Sequence, residues 1–221
     1  MRLPRWLTKW VPRRHFSGSN DYWIRRYRSG RDSGDGSYNE LAEFKAEVLN
    51  GLVSQYGIST VIEIGCGDGN QLALADYETY LGFDISPVAL ALCRVRFEGD
   101  PSRNFKLTAD YDGETAELCL SLDVIYHLVE DDTFDAYMQM LFTAAERYVV
   151  IYSSNTSEQA ARQPPHIRHR RFSDWIDRTH PQWELVLEIP SRHPYDSNTG
   201  SGSFADFYVY QARPIAGRSP Q

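Results

Sequence analysis

The run Val61-Ile62-Glu63-Ile64-Gly65-Cys66-Gly67-Asp68-Gly69-Asn70 constrains this chain more than any other. A short β-branched run that ends on an acid and passes into three alternating glycines predicts a buried strand feeding a tight loop beneath a ligand. Glycine suits such a loop because positive φ is sterically cheap only without a Cβ, and because a missing side chain lets a ligand approach the backbone N–H groups. A second acid, Asp84, closes the apolar run Tyr80-Leu81-Gly82-Phe83. It follows the loop by about twenty residues, where a parallel α/β sheet places the carboxylate that grips ribose hydroxyls. Together the two features predict a nucleoside site.

Glu63-x-Gly65-x-Gly67-x-Gly69 followed by Asp84 resembles the S-adenosylmethionine (SAM) site of class I methyltransferases, whose glycine pattern is G-x-G-x-G. The dinucleotide pattern G-x-G-x-x-G would need glycine at position 70, which is Asn70. The resemblance implies SAM as the cofactor, held by Glu63, Gly65, Cys66, Gly67, Gly69, Asp84 and Ile85. A glycine turn without a ligand would share the loop pattern alone, but not the acid at this spacing.

With 221 residues, 42% of them hydrophobic, the chain can build one domain with a full core and is too short for a separate substrate domain. Its net charge of −7 hides an asymmetry: residues 1–31 carry +8 and the remainder carries −15. The basic end and the acidic body are therefore expected to meet different partners. Cys66, Cys93 and Cys119 lie in apolar surroundings without C-x-x-C spacing. That fits a reduced cytoplasmic compartment and no cysteine metal site. No apolar run approaches the roughly 20 residues needed to span a bilayer, and the N-terminus has no continuous apolar signal core.

Four regions follow in order: a basic amphipathic arm (1–16), a lid segment (17–38), a methyltransferase domain (39–213) and a tail (214–221). In the arm, Leu3, Trp6, Leu7, Trp10 and Val11 recur at helical spacing among Arg2, Arg5, Lys9, Arg13 and Arg14. This reads as a peripheral anchor on anionic membrane, a docking helix for a partner, or an unstructured tail. Tyr22, Trp23 and Tyr27, with several arginines, are too bulky for a flexible linker. The segment resembles the lid that many class I methyltransferases fold over the cofactor; an aromatic patch on the sheet edge is the alternative. Ser37-x-x-Glu40 predicts a capping box, followed by a helix with Leu41, Phe44, Val48, Leu49 and Leu52 on one face up to Gly57.

Apolar runs predict strands at 60–64, 80–83, 105–108, 117–122, 147–152, 183–189 and 204–211, with helices at 87–97, 132–145 and 173–180 between them. Alternation of this kind predicts an α/β fold with a doubly wound, mostly parallel seven-stranded sheet and a ligand at the C-terminal strand ends. The resemblance implies that the last strand is antiparallel.

Methyl transfer needs alignment and water exclusion, and a hydroxyl acceptor also benefits from a base. After the fourth strand comes Asp123-Val124-Ile125-Tyr126-His127. Asp123, a candidate catalytic residue, stands where the family often places a group beside the methionine portion. His127 is the candidate general base, since histidine normally titrates near neutrality; a helix cap is its other reading. The run lacks the Asn/Asp-Pro-Pro-Tyr/Phe motif of relatives that methylate exocyclic amines of bases or glutamines. Asp110 resembles the adenine-side acid and Tyr111 could flank the ring. His166-Ile167-Arg168-His169-Arg170-Arg171 could hold an anionic part of the substrate or form a solvated loop. The resemblance implies a SAM-dependent methyltransferase acting on a small-molecule or glycan acceptor, more at oxygen than nitrogen, loosely like bacterial enzymes of sugar and polysaccharide modification. An N-methyltransferase for an amino sugar or peptide and a silent SAM-binding module are the alternatives. No nucleic-acid partner is expected of so acidic a body.

Overall fold

The computed structural model describes residues 16–161 and 163–213. Most of the arm and the whole tail lie outside the described residues. The lid segment contains a helix, α1 (Ser19–Arg28), and a one-turn helix (Asp35–Ser37) before α2 (Asn39–Tyr56). The strands are β1 (Thr60–Ile64), β2 (Thr79–Asp84), β3 (Arg103–Leu107), β4 (Ala116–Leu122), β5 (Ala145–Ser153), β6 (Trp183–Ile189) and β7 (Asp206–Ala212). The remaining α-helices are α3 (Pro87–Arg96), α4 (Asp131–Thr143) and α5 (Phe172–Thr179). They form one seven-stranded sheet of order β3-β2-β1-β4-β5-β7-β6. Pairings from β3 through β5 are parallel, and β7 runs antiparallel to both neighbours, as expected.

The sequence dictates both layers. Phe44, Leu49, Leu52 and Val53 of α2 and Leu90 and Cys93 of α3 pack on one sheet face. Phe134, Met138, Leu141 and Phe142 of α4 and Phe172, Trp175 and Ile176 of α5 pack on the other. Strands so covered must be apolar on both sides, which is why they read as continuous runs rather than alternating ones. The topological switch lies between β1 and β4, because the chain leaves β1 toward β2 and β3 and then returns to β4 on the opposite side.

Two local expectations fail. The capping box does not form: Tyr38, not Ser37, occupies the N-cap of α2, with no side-chain cap. Ser37 instead ends the preceding one-turn helix, and its carbonyl accepts a hydrogen bond from Asn70 Nδ2 at 2.7 Å. The last strand begins at Asp206 rather than Phe204, and the Asp206 carboxylate accepts the Ser191 N–H at 2.8 Å.

Candidate active site

A cavity of about 560 Å³ opens at the C-terminal ends of β1, β2 and β4. Ile64, Gly65, Cys66 and Gly67 form its floor, Asp84 and Ile85 one wall, and Asp123, Val124 and His127 the other. Helix α1 closes over it with Ser19, Asn20, Trp23 and Tyr27, while α2 contributes Lys45 and α4 contributes Tyr137 and Met140. The volume is that of an ordinary small-molecule site.

The glycines divide the work unequally. Gly67 has φ 59°, and a Cβ there would fall 2.3 Å from Ser33 Oγ and 2.9 Å from Tyr27 Oη, so the lid segment lies directly on the loop. Gly69 is absent from the lining; a Cβ there would meet Phe97 Cε2 at 3.0 Å and Cys93 Sγ at 3.1 Å. It serves the seating of α3, which corrects its reading as a cofactor residue. Asp68, unremarked in the sequence, fastens the lid: its carboxylate accepts the Ser33 N–H at 2.9 Å and the Tyr38 hydroxyl at 2.8 Å, and its own N–H donates to Ser33 Oγ at 3.0 Å.

The acids are buried and organised before any ligand arrives. Asp84 accepts the Gly67 N–H at 3.0 Å and the Ser86 N–H at 2.8 Å. Burial nevertheless pushes its carboxyl up to about 6 against those hydrogen bonds. Glu63 accepts the Tyr80 hydroxyl at 2.6 Å, and burial pushes it up to about 7. Asp123 has φ 60°, rare for a residue with a side chain. Its Oδ2 lies 2.6 Å from Lys45 Nζ and its Oδ1 accepts the Tyr126 hydroxyl at 2.8 Å. With both oxygens engaged and its charge met by a lysine, Asp123 is not a free base, which corrects that part of its catalytic reading. Lys45 is 1% exposed. The signal was present in the sequence, since Lys45 lies on the apolar face of α2, one turn after Leu41.

His127 lines the cavity, but its environment overturns the expectation of a group titrating near neutrality. Its ring packs against Trp23 at 4.8 Å, Tyr126 at 4.5 Å and His166 at 5.6 Å between centroids. Burial pushes its pKa down to about 4. Nδ1 lies 3.0 Å from the His166 carbonyl oxygen, which can only accept, so Nδ1 carries the proton and Nε2 keeps its lone pair. The side chain is a neutral imidazole of fixed tautomer. Protonation favours the unfolded state, whose histidine titrates near 6.5, so stability from this site is full above that value and declines as pH falls toward about 4. Comparing urea unfolding of the wild type and His127→Gln across this window cancels the opposing titrations of Glu63 and Asp84. The wild type is expected to lose stability relative to the variant as pH falls.

Asp110 is exposed and Tyr111 half-buried against Phe83, and neither lines the cavity; Thr108 does so in their place. The chain turns at Thr108–Asp110 and carries both side chains past the opening. The basic run is also corrected. Arg168 and Arg170 both pair with Asp131 and donate to the Val129 carbonyl, and Arg170 stacks on Phe134. These cations pin the 163–171 loop to the start of α4 and are not free for a substrate anion.

Residues 62–149 match the family model described as a methyltransferase domain. The chain thus carries a methyltransferase domain, and its activity is S-adenosylmethionine-dependent methyl transfer with S-adenosylmethionine as cofactor. Comparison with curated proteins gave no match. Among solved structures, the enzyme resembles the N-methyltransferase NodS from Bradyrhizobium japonicum in complex with S-adenosylhomocysteine (SAH): 14% identity, TM-score 0.66, covering 88% of this chain and 98% of that one. Magnesium protoporphyrin IX methyltransferase from Synechocystis, with bound SAM, gives 16%, 0.60, 88% and 97%. The 1,6-didemethyltoxoflavin-N1-methyltransferase of Burkholderia thailandensis gives 15%, 0.62, 88% and 87%. At such identities the likeness speaks to the fold.

The enzyme's residues suit the cofactor on their own chemistry. Backbone at Gly67 is bare where a Cβ would intrude, the buried carboxyl groups of Glu63 and Asp84 line the cavity, and Gln71 Oε1 is a buried acceptor without a donor among the described residues. Gln71 lines the same cavity, and its Nε2 is held by the Ala42 carbonyl at 3.1 Å. An ammonium group is the kind of donor that would satisfy it.

Proposed function

We propose that the enzyme transfers methyl to a hydroxyl of an uncharged small molecule or glycan, with His127 as the proton acceptor. The observation carrying this reading is the neutral His127 imidazole at the cavity wall, its Nδ1–H committed to a carbonyl and its Nε2 left as a base. Bound SAM supplies an electrophilic methyl carbon on sulfur. Asp84 and Glu63 would hold the ribose and Gln71 the ammonium, while Trp23 and Tyr27 of α1 keep water from the transfer path. His127 Nε2 would take the hydroxyl proton of the acceptor as its oxygen is methylated, with Nδ1–H held on the His166 carbonyl. A base weakened to a pKa of about 4 still serves, because the hydroxyl becomes strongly acidic once the carbon–oxygen bond has begun to form.

The uncharged acceptor follows from the lining, where Glu63, Asp84, Asp123 and Asp132 face a single cation, Lys45, among the described residues. An anionic acceptor would meet net negative charge. Incubating bacterial extract and envelope glycans with the enzyme and methyl-deuterated SAM, followed by mass spectrometry, tests the reading. Label on a carbon–oxygen bond of a neutral species is the expected result; label on nitrogen, or on no component, sinks it.

A further inference from the structure

Lys45 needs a reason that stability does not supply. Its ammonium is buried on the apolar face of α2, 2.6 Å from Asp123 Oδ2 and 5.4 Å from the centre of the Tyr152 ring. A buried ion pair seldom outperforms apolar residues of the same size, since desolvating two charges costs about what their attraction returns. Asp123 is as deliberately placed: its φ is 60°, its N–H donates to the Tyr152 carbonyl at 2.9 Å, and the Tyr126 hydroxyl fixes its other oxygen. The fold thus presents a carboxylate at the cavity wall and then cancels its charge from behind.

We propose that Lys45 is a positioning residue that sets the charge of the transfer site, holding Asp123 in place as a hydrogen-bonding group while neutralising it at the wall of the cavity that would take the cofactor. The inference rests on the assignment of this cavity to SAM. The physical reason is the loss of charge during the reaction. Sulfur is cationic in SAM and neutral in SAH, so a bare carboxylate close by would stabilise the ground state more than the transition state and slow the transfer. In a cavity shielded from water this penalty grows as the effective dielectric falls. Lys45 removes it while leaving Asp123 able to accept hydrogen bonds.

The test needs no acceptor. Calorimetry on the full chain gives the affinities of SAM and SAH, and their ratio reads the site's response to one positive charge. Lys45→Met is expected to raise the preference for SAM over SAH by about tenfold or more, and Asp123→Asn to lower it comparably. In the double variant, with neither charge, the ratio returns to within about threefold of wild type. A purely structural role would weaken both ligands together and leave the ratio unchanged, and that result overturns the proposal. Should circular dichroism show that Lys45→Met does not fold, Asp123→Asn and the double variant decide: the ratio must be lower in the former. Wild-type protein that binds neither ligand would instead refute the assignment of the cavity to SAM, taking this inference with it.

Discussion

Turnover of His127→Gln is expected to fall by about 10²- to 10⁴-fold, the range for a lost general base, with SAM affinity within about threefold of wild type. The split arises because the cofactor does not need the imidazole, whereas the acceptor proton does. The pH profile provides the sharper test. The unprotonated imidazole is the active form and burial holds its pKa near 4, so activity dependent on it should be level through neutrality and decline only as pH falls toward about 4. An unburied histidine would give an inflection near 6.5, and finding one at saturating SAM, where the titrations of Glu63 and Asp84 no longer limit cofactor binding, that is absent from His127→Gln would show that α1 does not cover the ring during turnover. An amine acceptor makes a different prediction. A neutral amine attacks without prior loss of a proton, so the variant would keep turnover within about threefold and the reading would pass to N-methylation.

The sheet was legible because its strands are unusually explicit. Val61–Ile64, Leu118–Leu122 and Val149–Tyr152 are covered by helices on both faces and so appear as nearly continuous apolar runs, interrupted only by Glu63 and Ser121. The glycine loop was legible for a related reason, since backbone approached this closely tolerates little besides glycine. What the sequence concealed depends on contacts between distant segments. Asp123 looks like an available carboxylate until Lys45, 78 residues earlier, is seen against it. The arginines at 168 and 170 look like an anion site until Asp131 takes them both. Gly67 and Gly69 are equivalent in a pattern, yet one faces the cavity and the other a helix. His127 has an ordinary pKa in sequence because burial beneath Trp23 depends on where α1 docks, and a short, polar, aromatic helix gives little periodicity from which to place it.

That docking is what makes Gly67→Ala the most damaging small substitution expected in the loop. The residue sits at φ 59°, where a Cβ costs roughly 1 kcal/mol even in open space. Here the added carbon would also fall 2.3 Å from Ser33 Oγ, which cannot swing aside without surrendering its hydrogen bonds to Asp68 N–H and Tyr27. SAM affinity is expected to fall by about 100-fold or more, equivalent to about 2.7 kcal/mol, because the Cβ stands where the ligand must approach the backbone. Adding Ser33→Gly separates the two costs. With the hydroxyl gone, the melting temperature should recover part of its loss, since the collision with the lid segment is relieved. Affinity should not recover, because the Cβ still crowds Tyr27 Oη at 2.9 Å and stays on the loop backbone that lines the cavity. Calorimetry showing SAM affinity restored in the double variant would mean that Gly67 acts only by letting the 17–38 segment close, and that the ligand never touches the loop at this residue.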